Sequence, residues 1–207
     1  VSGLTSGVAS LTAGSNHTCA VTTSGGAKCW GYNEYGRLGD GSTTTRGAPV
    51  DVSGLTSGVA SMTAGYGHTC ALTATGGVKC WGNNSLGQLG DGSTTTRWTP
   101  VDVSGLTSGV AKIEAGNYHA CAVTTAGGAQ CWGVNNYGVL GDGSATSRLT
   151  PVNVNGLTSG VDSLTAGEYH TCAITASGGA KCWGYNFSGQ LGDGTSTNRA
   201  TPVDVLP

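Results

Sequence analysis

Eight cysteines and four histidines recur at a fixed spacing and are the residues best suited to chemistry. Each repeat carries His-x-Cys and, ten residues after that cysteine, Cys-Trp-Gly, and the whole set returns every 51 residues. Such a set can form disulfides, remain as free thiols or ligate a metal. The cysteine pairs are Cys19 with Cys29, Cys70 with Cys80, Cys121 with Cys131 and Cys172 with Cys182, and the histidines are His17, His68, His119 and His170.

A short hairpin explains the cysteine spacing. If the turn 23–26 is centred on Ser24, Cys19 lies directly opposite Cys29 on the neighbouring strand, where the Cβ atoms are close enough for a disulfide. We therefore predict one disulfide per repeat, each worth about 2–3 kcal/mol. Free buried thiols are one alternative. A zinc site is a weaker one, because each repeat offers three ligands and no Cys-x-x-Cys knuckle.

Cysteine usage and charge indicate in which compartment the protein works and which classes of partner it can bind. Eight paired cysteines favour an oxidising compartment, so we expect a secreted or cell-surface protein. The chain opens at Val1 without an initiator Met, and we expect a processed or excised piece. No apolar run approaches the roughly 20 residues that cross a bilayer, so we expect no membrane insertion. A net charge of −2 without a Lys/Arg cluster argues against nucleic acid as a partner.

The repeats also predict the architecture that must position these residues. Gly accounts for 38 of 207 residues, charged residues for 10%, and Phe occurs once, which excludes a helical bundle. Short β-type runs separated by glycine turns predict an all-β fold whose units stack to bury Val8, Leu11, Ala13, Val21 and their copies. We expect a single repeat domain over 1–207. Its repeats are 1–51, 52–102, 103–153 and 154–204, followed by terminal residues 205–207.

Each repeat is predicted to form four antiparallel strands. In the first repeat these are A (8–13), B (18–22), C (27–31) and D (49–52). In such a blade the A–B and C–D loops lie on one face, and the B–C and D–A connections lie on the other.

Three segments of each repeat resemble the regulator-of-chromosome-condensation repeat. In the first repeat they read A-G-S-N-H-T-C-A-V-T (13–22), K-C-W-G-Y-N-E-Y-G-R-L-G (28–39) and A-P-V-D-V (48–52). The resemblance covers the whole chain and implies a β-propeller, commonly seven-bladed, that acts as a guanine-nucleotide exchange factor or a binding platform. Secreted bacterial members such as the propeller-type β-lactamase inhibitor share parts of these motifs. This chain differs in its cysteine pair per repeat and in having four units, which leaves ring closure open.

Sequence differences among the repeats concentrate on one predicted face. The A–B and C–D loops vary and hold all seven tyrosines and the single Phe, whereas the opposite face is nearly invariant. A rigid scaffold with variable aromatic loops is typical of a recognition surface; drift at exposed positions is the alternative. Trp98 stands where the other repeats have Gly, Leu and Ala, and it could instead fill a gap between blades. The predicted partner-binding residues are Asn16, Tyr32, Tyr35, Tyr66, Trp98, Tyr118, Tyr137, Tyr169, Tyr185 and Phe187.

Other recurring residues are interpreted as structural. Four equivalent histidines would require four identical active sites, so we expect buried imidazoles that satisfy loop backbone groups. The tryptophans after the second cysteines are expected in the core between blades; they are Trp30, Trp81, Trp132 and Trp183. We also expect the aspartate of each Gly-Asp-Gly turn to pair with the arginine six residues later, as in Asp40 and Arg46. One carboxylate per turn is too few for calcium, and no metal or cofactor is expected.

These observations favour a non-enzymatic protein. The sequence has no paired-carboxylate site, serine elbow or phosphate-binding loop, and it lacks the protruding wedge that exchange activity would need. Our first hypothesis is an extracellular propeller that binds a protein partner through the aromatic loops. Alternatives are a carbohydrate-binding or adhesive surface protein, and a structural subunit whose open blade ends join copies into a ring or filament.

Overall fold

The computed structural model describes residues 4–206, which form sixteen β-strands in four antiparallel sheets. Each sheet is one blade, and its strands pair in sequence order. Blade 1 contains β1 (Val8–Ala13), β2 (His17–Thr22), β3 (Ala27–Gly31) and β4 (Arg46–Asp51). Blade 2 contains β5 (Val59–Ala64), β6 (His68–Thr73), β7 (Val78–Gly82) and β8 (Arg97–Asp102). Blade 3 contains β9 (Val110–Ala115), β10 (His119–Thr124), β11 (Ala129–Gly133) and β12 (Arg148–Asn153). Blade 4 contains β13 (Val161–Ala166), β14 (His170–Thr175), β15 (Ala180–Gly184) and β16 (Arg199–Asp204).

The prediction of four four-stranded antiparallel blades is confirmed, with corrections to the bounds of strands D and B. In blade 1 strand D begins at Arg46 and not at Pro49, because Arg46 still pairs with Gly31. The register shifts between Cys29 and Gly31, and this irregularity lets the ladder continue through the segment Arg-Gly-Ala-Pro (46–49), which has no alternating strand pattern. Strand B likewise starts one residue earlier than expected, at His17.

One disulfide joins the two central strands of every blade, as predicted. Cys19 is the direct register partner of Cys29, with Cα atoms 4.1 Å apart, as expected for a closely spaced antiparallel pair. The same geometry recurs in the bridges of the other blades, which join Cys70 to Cys80, Cys121 to Cys131 and Cys172 to Cys182. All eight cysteines are therefore bonded, and the free-thiol and zinc alternatives do not apply.

The core lies between blades. At the junction of blades 2 and 3, the disulfide, Leu89 and Val103 of blade 2 pack against Ile113 and Trp132 of blade 3. The other two junctions repeat this arrangement. Each blade thus covers its neighbour, and the apolar residues of one sheet become core only when the next sheet is present.

The predicted core residues of blade 1 differ from their copies. Leu11 is 66% exposed, whereas its counterpart Ile113 is 7% exposed. Val8 is half-buried, and Trp30 is half-buried although Trp81 in blade 2 is fully buried. These residues face the side on which a preceding blade would lie. Ala13 is exposed as well, so the prediction of a buried role is wrong for Leu11 and Ala13 and only partly met for Val8 and Trp30.

A hydrogen-bonded latch joins consecutive blades. The His17 ring Nε2 lies 2.8 Å from the Thr69 hydroxyl of blade 2, which donates to the Arg37 carbonyl of blade 1 at 2.8 Å. Trp81 Nε1 donates to the same carbonyl at 2.9 Å. We call this set the interblade latch. The expectation that the histidines satisfy loop backbone groups is therefore corrected, because the partner of His17 is a side-chain hydroxyl of the next blade. The expectation of burial holds for His17, His68 and His119 but not for His170, which is half-buried.

Glycine precedes each latch histidine because the loop has no room for a side chain. A Cβ atom on Gly14 would lie 2.5 Å from His17 Cε1 and 2.6 Å from the Gly65 carbonyl oxygen of blade 2. The Ala-Gly-x-x-His motif thus packs the A–B loops of neighbouring blades against one another.

The four blades form an arc with two uncovered end faces. The A–B loops of all four blades line a central cleft of about 360 Å³. The outer faces of blades 1 and 4 leave Leu11 and Ile174 exposed, at 66% and 50%. Residues 4–206 contain no helix long and apolar enough to cross a bilayer.

Candidate functional site: the aromatic loop face

The A–B and C–D loops of each blade lie on the same face and are joined by a backbone hydrogen bond. In blade 1 the Tyr32 amide donates to the Asn16 carbonyl at 2.9 Å. In blade 4 the Tyr185 amide donates to the Tyr169 carbonyl at 2.8 Å. The variable aromatic residues of both loops therefore converge on one surface.

Six aromatic side chains on this surface form a continuous cluster across blades 2 to 4. Ring centroids of Tyr66 and Tyr118 are 5.5 Å apart, and those of Tyr118 and Tyr169 are 5.8 Å apart and stacked. Tyr137 meets Tyr169 edge-on at 5.3 Å and Tyr185 at 4.9 Å. These separations suit favourable aromatic pairs. The cluster, called the aromatic ridge below, consists of Tyr66, Tyr118, Tyr137, Tyr169, Tyr185 and Phe187.

The ridge is anchored at its base and open at its top. Tyr118, Tyr169 and Tyr185 are half-buried by their neighbours. Phe187, which lies 5.0 Å from the Tyr185 ring, is 67% exposed, and Tyr66 is 42% exposed. The rings therefore hold one another in place and leave apolar edges exposed to solvent. Aromatic side chains of this kind lose little conformational entropy when a partner binds.

Arg37 organises a second aromatic group in blade 1, and sequence reasoning missed it. Its guanidinium carbon lies 4.9 Å from the Tyr32 ring centroid and 5.3 Å from the Tyr35 ring centroid, which are cation–π distances. Its Nη1 donates to the Tyr66 carbonyl at 2.8 Å. Burial lowers the pKa of Arg37, and the nearby phenol of Tyr32 opposes that shift. The signal in the sequence was that this arginine occurs in the first repeat alone, since the equivalent positions of the other repeats hold Gln88, Val139 and Gln190.

Carboxylates flank both aromatic groups. The Tyr32 hydroxyl donates to Glu34 Oε2 at 2.6 Å, and this hydrogen bond raises the pKa of the Tyr32 phenol. Burial, and then the charge of Glu168, raises the pKa of Tyr169. Glu34 and Glu168 are exposed, so the face combines apolar rings with negative charge.

Two of the predicted binding residues lie outside the aromatic clusters. Asn16 is exposed in the A–B loop of blade 1. Trp98 is 51% exposed in β8 and packs against Gly36 of blade 1, while its carbonyl accepts a hydrogen bond from Gly41 at 3.1 Å. Trp98 thus lies between two blades and remains half exposed.

A buried asparagine fixes each C–D loop, which sequence reasoning did not single out. The Asn33 amide group donates to Asp40 and to the Ser42 and Thr44 carbonyls, and its Oδ1 accepts from the Leu38 amide. The other three blades repeat this pattern from Asn84, Asn135 and Asn186. The asparagine recurs in all four repeats, which was the available signal.

The expected aspartate–arginine pairs are present in all four C–D loops. Arg46 contacts Asp40 at 2.9 Å, and the Asp40 side chain is 7% exposed whereas the arginine stays partly solvated. Burial opposes ionisation of Asp40, but hydrogen bonds from Ser42, Arg46 and Asn33 outweigh it and lower the pKa of the carboxyl. The aromatic residues are thus carried on internally bonded loops.

The recurring histidines belong to the scaffold of this face. Among residues 4–206, no three His, Cys, Asp or Glu side chains lie close enough to hold a metal. The buried latch histidines have pKa values lowered by burial, to about 3 for His17 and His119 and about 4 for His68. They are neutral at physiological pH and sit within the scaffold.

Four stacked antiparallel blades with a loop-bearing face define the chain as part of a β-propeller, a fold that fits a non-enzymatic binding function. Family models for the regulator of chromosome condensation (RCC1) repeat match residues 8–37, 59–88, 110–139 and 161–190, and a second model matches 25–72, 75–123 and 127–174. The chain belongs to the RCC1-repeat family.

Curated relatives are longer than this chain. It is 33% identical over 199 residues to the ultraviolet-B receptor UVR8 of Arabidopsis thaliana, covering 94% of this chain and 45% of the relative. It is 36% identical over 200 residues to the human E3 ubiquitin-protein ligase HERC2, covering 94% of this chain and 4% of the relative. The chain therefore spans less than half the length of these relatives.

Solved structures show the same fold. Human WBSCR16 superposes with a TM-score of 0.85 at 25% identity, covering 97% of this chain and 53% of that protein. Yeast RCC1 (Prp20), solved bound to Kap60, gives a TM-score of 0.84 at 21% identity, covering 97% and 49%. The arc thus corresponds to about half of each of these chains.

Proposed function

We propose that this chain is a non-enzymatic binding module of a secreted or cell-surface protein, and that its aromatic ridge contacts a protein partner. The observation that carries the proposal is the ridge itself, six mutually packed rings on one face of three consecutive blades. Tyrosines on a rigid scaffold supply contact area without losing much side-chain freedom on binding. The hydrogen-bonded C–D loops support a surface that is formed before the partner arrives.

Charge on the face favours a partner with basic side chains. Glu34 and Glu168 are exposed beside the rings, whereas Arg37 is buried at 1% exposure and the arginine of each C–D loop is paired with an aspartate. Lys or Arg residues of a partner would therefore meet both carboxylates and aromatic faces, which attract cations. Binding is expected to weaken as salt concentration rises.

Solved proteins of the same fold provide a precedent for binding to proteins. Yeast RCC1 was solved bound to Kap60, and Prp20p of Saccharomyces cerevisiae is described by its binding properties to Gsp1p and histones. The secreted or surface location is supported by the four intrablade disulfides, because such bonds persist in oxidising compartments. Alkylation of the native protein in its source compartment tests this location, and modified cysteines would contradict it.

Quantitative affinity capture tests the binding face. The test variant combines Tyr66→Ala, Tyr118→Ala and Tyr169→Ala, which shortens three rings across three blades. The control variant carries three exposed serine-to-alanine changes on the opposite, connector side: Ser57→Ala, Ser108→Ala and Ser159→Ala. We expect the wild type and the serine variant to retain a shared partner and the tyrosine variant to lose it. Equal capture by all three folded proteins would refute the proposal.

Carbohydrate binding is the second candidate. Exposed Asn16 and Asn136 lie on the same face as the rings, and aromatic rings with neighbouring amides can stack on and hydrogen-bond to sugars. A glycan array probed with the wild type and the tyrosine variant separates the candidates. A signal that the tyrosine variant loses would favour a glycan, and a blank array would favour a protein partner.

A further inference from the structure

Two tyrosines of the aromatic ridge occupy the same position in neighbouring blades. Tyr118 in blade 3 and Tyr169 in blade 4 are 51 residues apart, one full repeat, and each directly precedes the recurring histidine of its A–B loop. Because the blades repeat one backbone, the two side chains leave equivalent points of the scaffold. The disulfides lie within blades, so this pair meets across a junction that only the main chain links covalently.

Stacking distinguishes this pair from the other ring contacts of the ridge. The centroids of Tyr118 and Tyr169 are 5.8 Å apart, and their ring planes differ by 20°. Tyr137 meets Tyr169 at 74° and Tyr185 at 62°, so these rings contact edge to face. Tyr66 and Tyr118 are tilted by 37° and come from positions that are not equivalent. Tyr118 and Tyr169 are therefore the pair whose ring faces lie most nearly parallel.

The phenol groups of this pair lie near each other as well. Burial and then the charge of Glu168 raise the pKa of Tyr169 most, and the charges of Tyr118 and, less strongly, Tyr137 add to the shift. A neighbouring phenolate raises a pKa in this way when the two oxygens are close, because like charges repel. The hydroxyl-bearing ends of the two stacked rings therefore lie side by side.

Each ring of the pair also touches a tyrosine that is more exposed. Tyr66, 42% exposed, contacts Tyr118, and Tyr137, 37% exposed, contacts Tyr169. An oxidant at the surface can take an electron from these outer rings, and the half-buried inner rings can replace it across the ring contacts. Glu168 is exposed beside Tyr169, and its carboxylate can accept the proton that a phenol releases on oxidation.

We propose that Tyr118 and Tyr169 form an oxidative cross-linking site, which a haem peroxidase using hydrogen peroxide converts into dityrosine. Each phenol gives up one electron and one proton, and the two phenoxyl radicals join through a carbon–carbon bond between the ring positions next to their hydroxyls. The two hydrogens on those carbons then move to the oxygens as protons, which restores both phenols. The peroxide takes up the two electrons and two protons and is reduced to two water molecules.

The stacked arrangement suits this reaction. The unpaired electron of a phenoxyl radical occupies orbitals above and below the ring plane, so the new bond forms between ring faces. The product ties blade 3 to blade 4 with a bond that reductants do not break, in addition to the disulfide inside each blade. This inference uses rings of the proposed binding surface but does not rest on the proposed function, because no partner takes part in the reaction.

Oxidation of the purified full chain by a haem peroxidase and hydrogen peroxide tests the site. At about 1 µM protein, a second ring held in the same molecule at an effective concentration of millimolar or more favours coupling within the chain by roughly 1,000-fold. We expect dityrosine fluorescence and a monomeric chain that has lost two hydrogens. After reduction of the disulfides, the tryptic peptides 113–148 and 149–181 should be found joined, with fragment ions that place the bond at Tyr118 and Tyr169.

Phenylalanine variants test the assignment without removing a ring. Tyr118→Phe and Tyr169→Phe should each lose the cross-link between these peptides, because each lacks one phenol. The control Tyr35→Phe should cross-link as the wild type does, since the Tyr35 ring packs against Arg37 in blade 1. A cross-link that persists in either ridge variant, a bond at another pair of tyrosines, or products that join two chains would overturn the proposal.

Discussion

Replacing Ala120 by threonine should complete the latch between blades 2 and 3. The junctions on either side use a threonine hydroxyl to bond the histidine, but blade 3 has Ala120 in that place. As a result, the buried Nε2 of His68 has no hydrogen-bond partner among residues 4–206. The substitution Ala120→Thr supplies the missing hydroxyl.

The magnitude follows from the neighbouring latches. Thr171 lies 3.0 Å from the His119 nitrogen and donates to the Val139 carbonyl at 3.0 Å, so the introduced hydroxyl should gain the same two hydrogen bonds. Satisfying a buried nitrogen and adding one bond should raise the free energy of unfolding by about 1–2 kcal/mol. For a chain of this size that is an increase in melting temperature of about 2–8 °C.

Thermal and denaturant unfolding of three variants separates hydrogen bonding from packing. Ala120→Val adds nearly the same volume without a hydroxyl, and Thr171→Val removes the hydroxyl from an intact latch. We expect Ala120→Thr to be more stable than Ala120→Val, and Thr171→Val to lose about 1–3 kcal/mol. The latch reasoning fails if the two substitutions of Ala120 stabilise equally, because the gain would then come from filled volume alone.

Three further predictions concern the scaffold. Burial lowers the pKa of the latch histidines His17, His68 and His119 to about 3–4, against 6.5 in the unfolded chain, so the unfolded state binds more protons between these values. Stability should therefore fall by up to about 1.4 kcal/mol per pH unit for each histidine as the pH decreases from 6.5 towards about 4. Titrated melting curves check this, and an unchanged slope in His68→Leu would contradict it. Replacing both Cys121 and Cys131 by alanine should cost about 2–3 kcal/mol, read from the denaturant midpoint; an unshifted midpoint would show that the bridge contributes nothing. Arg97→Ala leaves the 7%-exposed Asp91 without its cation and should cost about 1 kcal/mol, with Lys28→Ala at an exposed pair as a near-neutral control; equal melting temperatures for the two would argue against the pairing's role.

Features set by local repetition could be predicted from the sequence. The bounds of strands A and C and the pairing of Cys19 with Cys29 follow from turn position and strand alternation, which are local properties. The start of strand D at Arg46 could not be predicted, because a register shift after Cys29 carries the ladder into the segment Arg-Gly-Ala-Pro (46–49), which has no alternating pattern.

Contacts between blades were harder to predict, because they join residues about 50 positions apart. The partner of His17 is Thr69, and no local pattern marks a hydroxyl one repeat away as its acceptor or donor. Arg37 interacts with rings of its own blade and with the Tyr66 backbone of the next, so its role depends on how two blades stack. The aromatic loops could be assigned to one face, but the mutual packing of their rings required side-chain positions.

The disulfides join strands within a blade and leave the junctions to noncovalent contacts, which gives the chain a distinctive response to tension. Pulled from its two termini, the arc should come apart one blade at a time, because each junction can peel without breaking a covalent bond. Within each released blade, the segment between cysteines ten positions apart stays looped and contributes nothing to the extension. A force–extension trace should therefore show a few unfolding steps, one for each blade, and each step should lengthen when a reductant is added. The redox conditions would then determine how far the unfolded chain can extend.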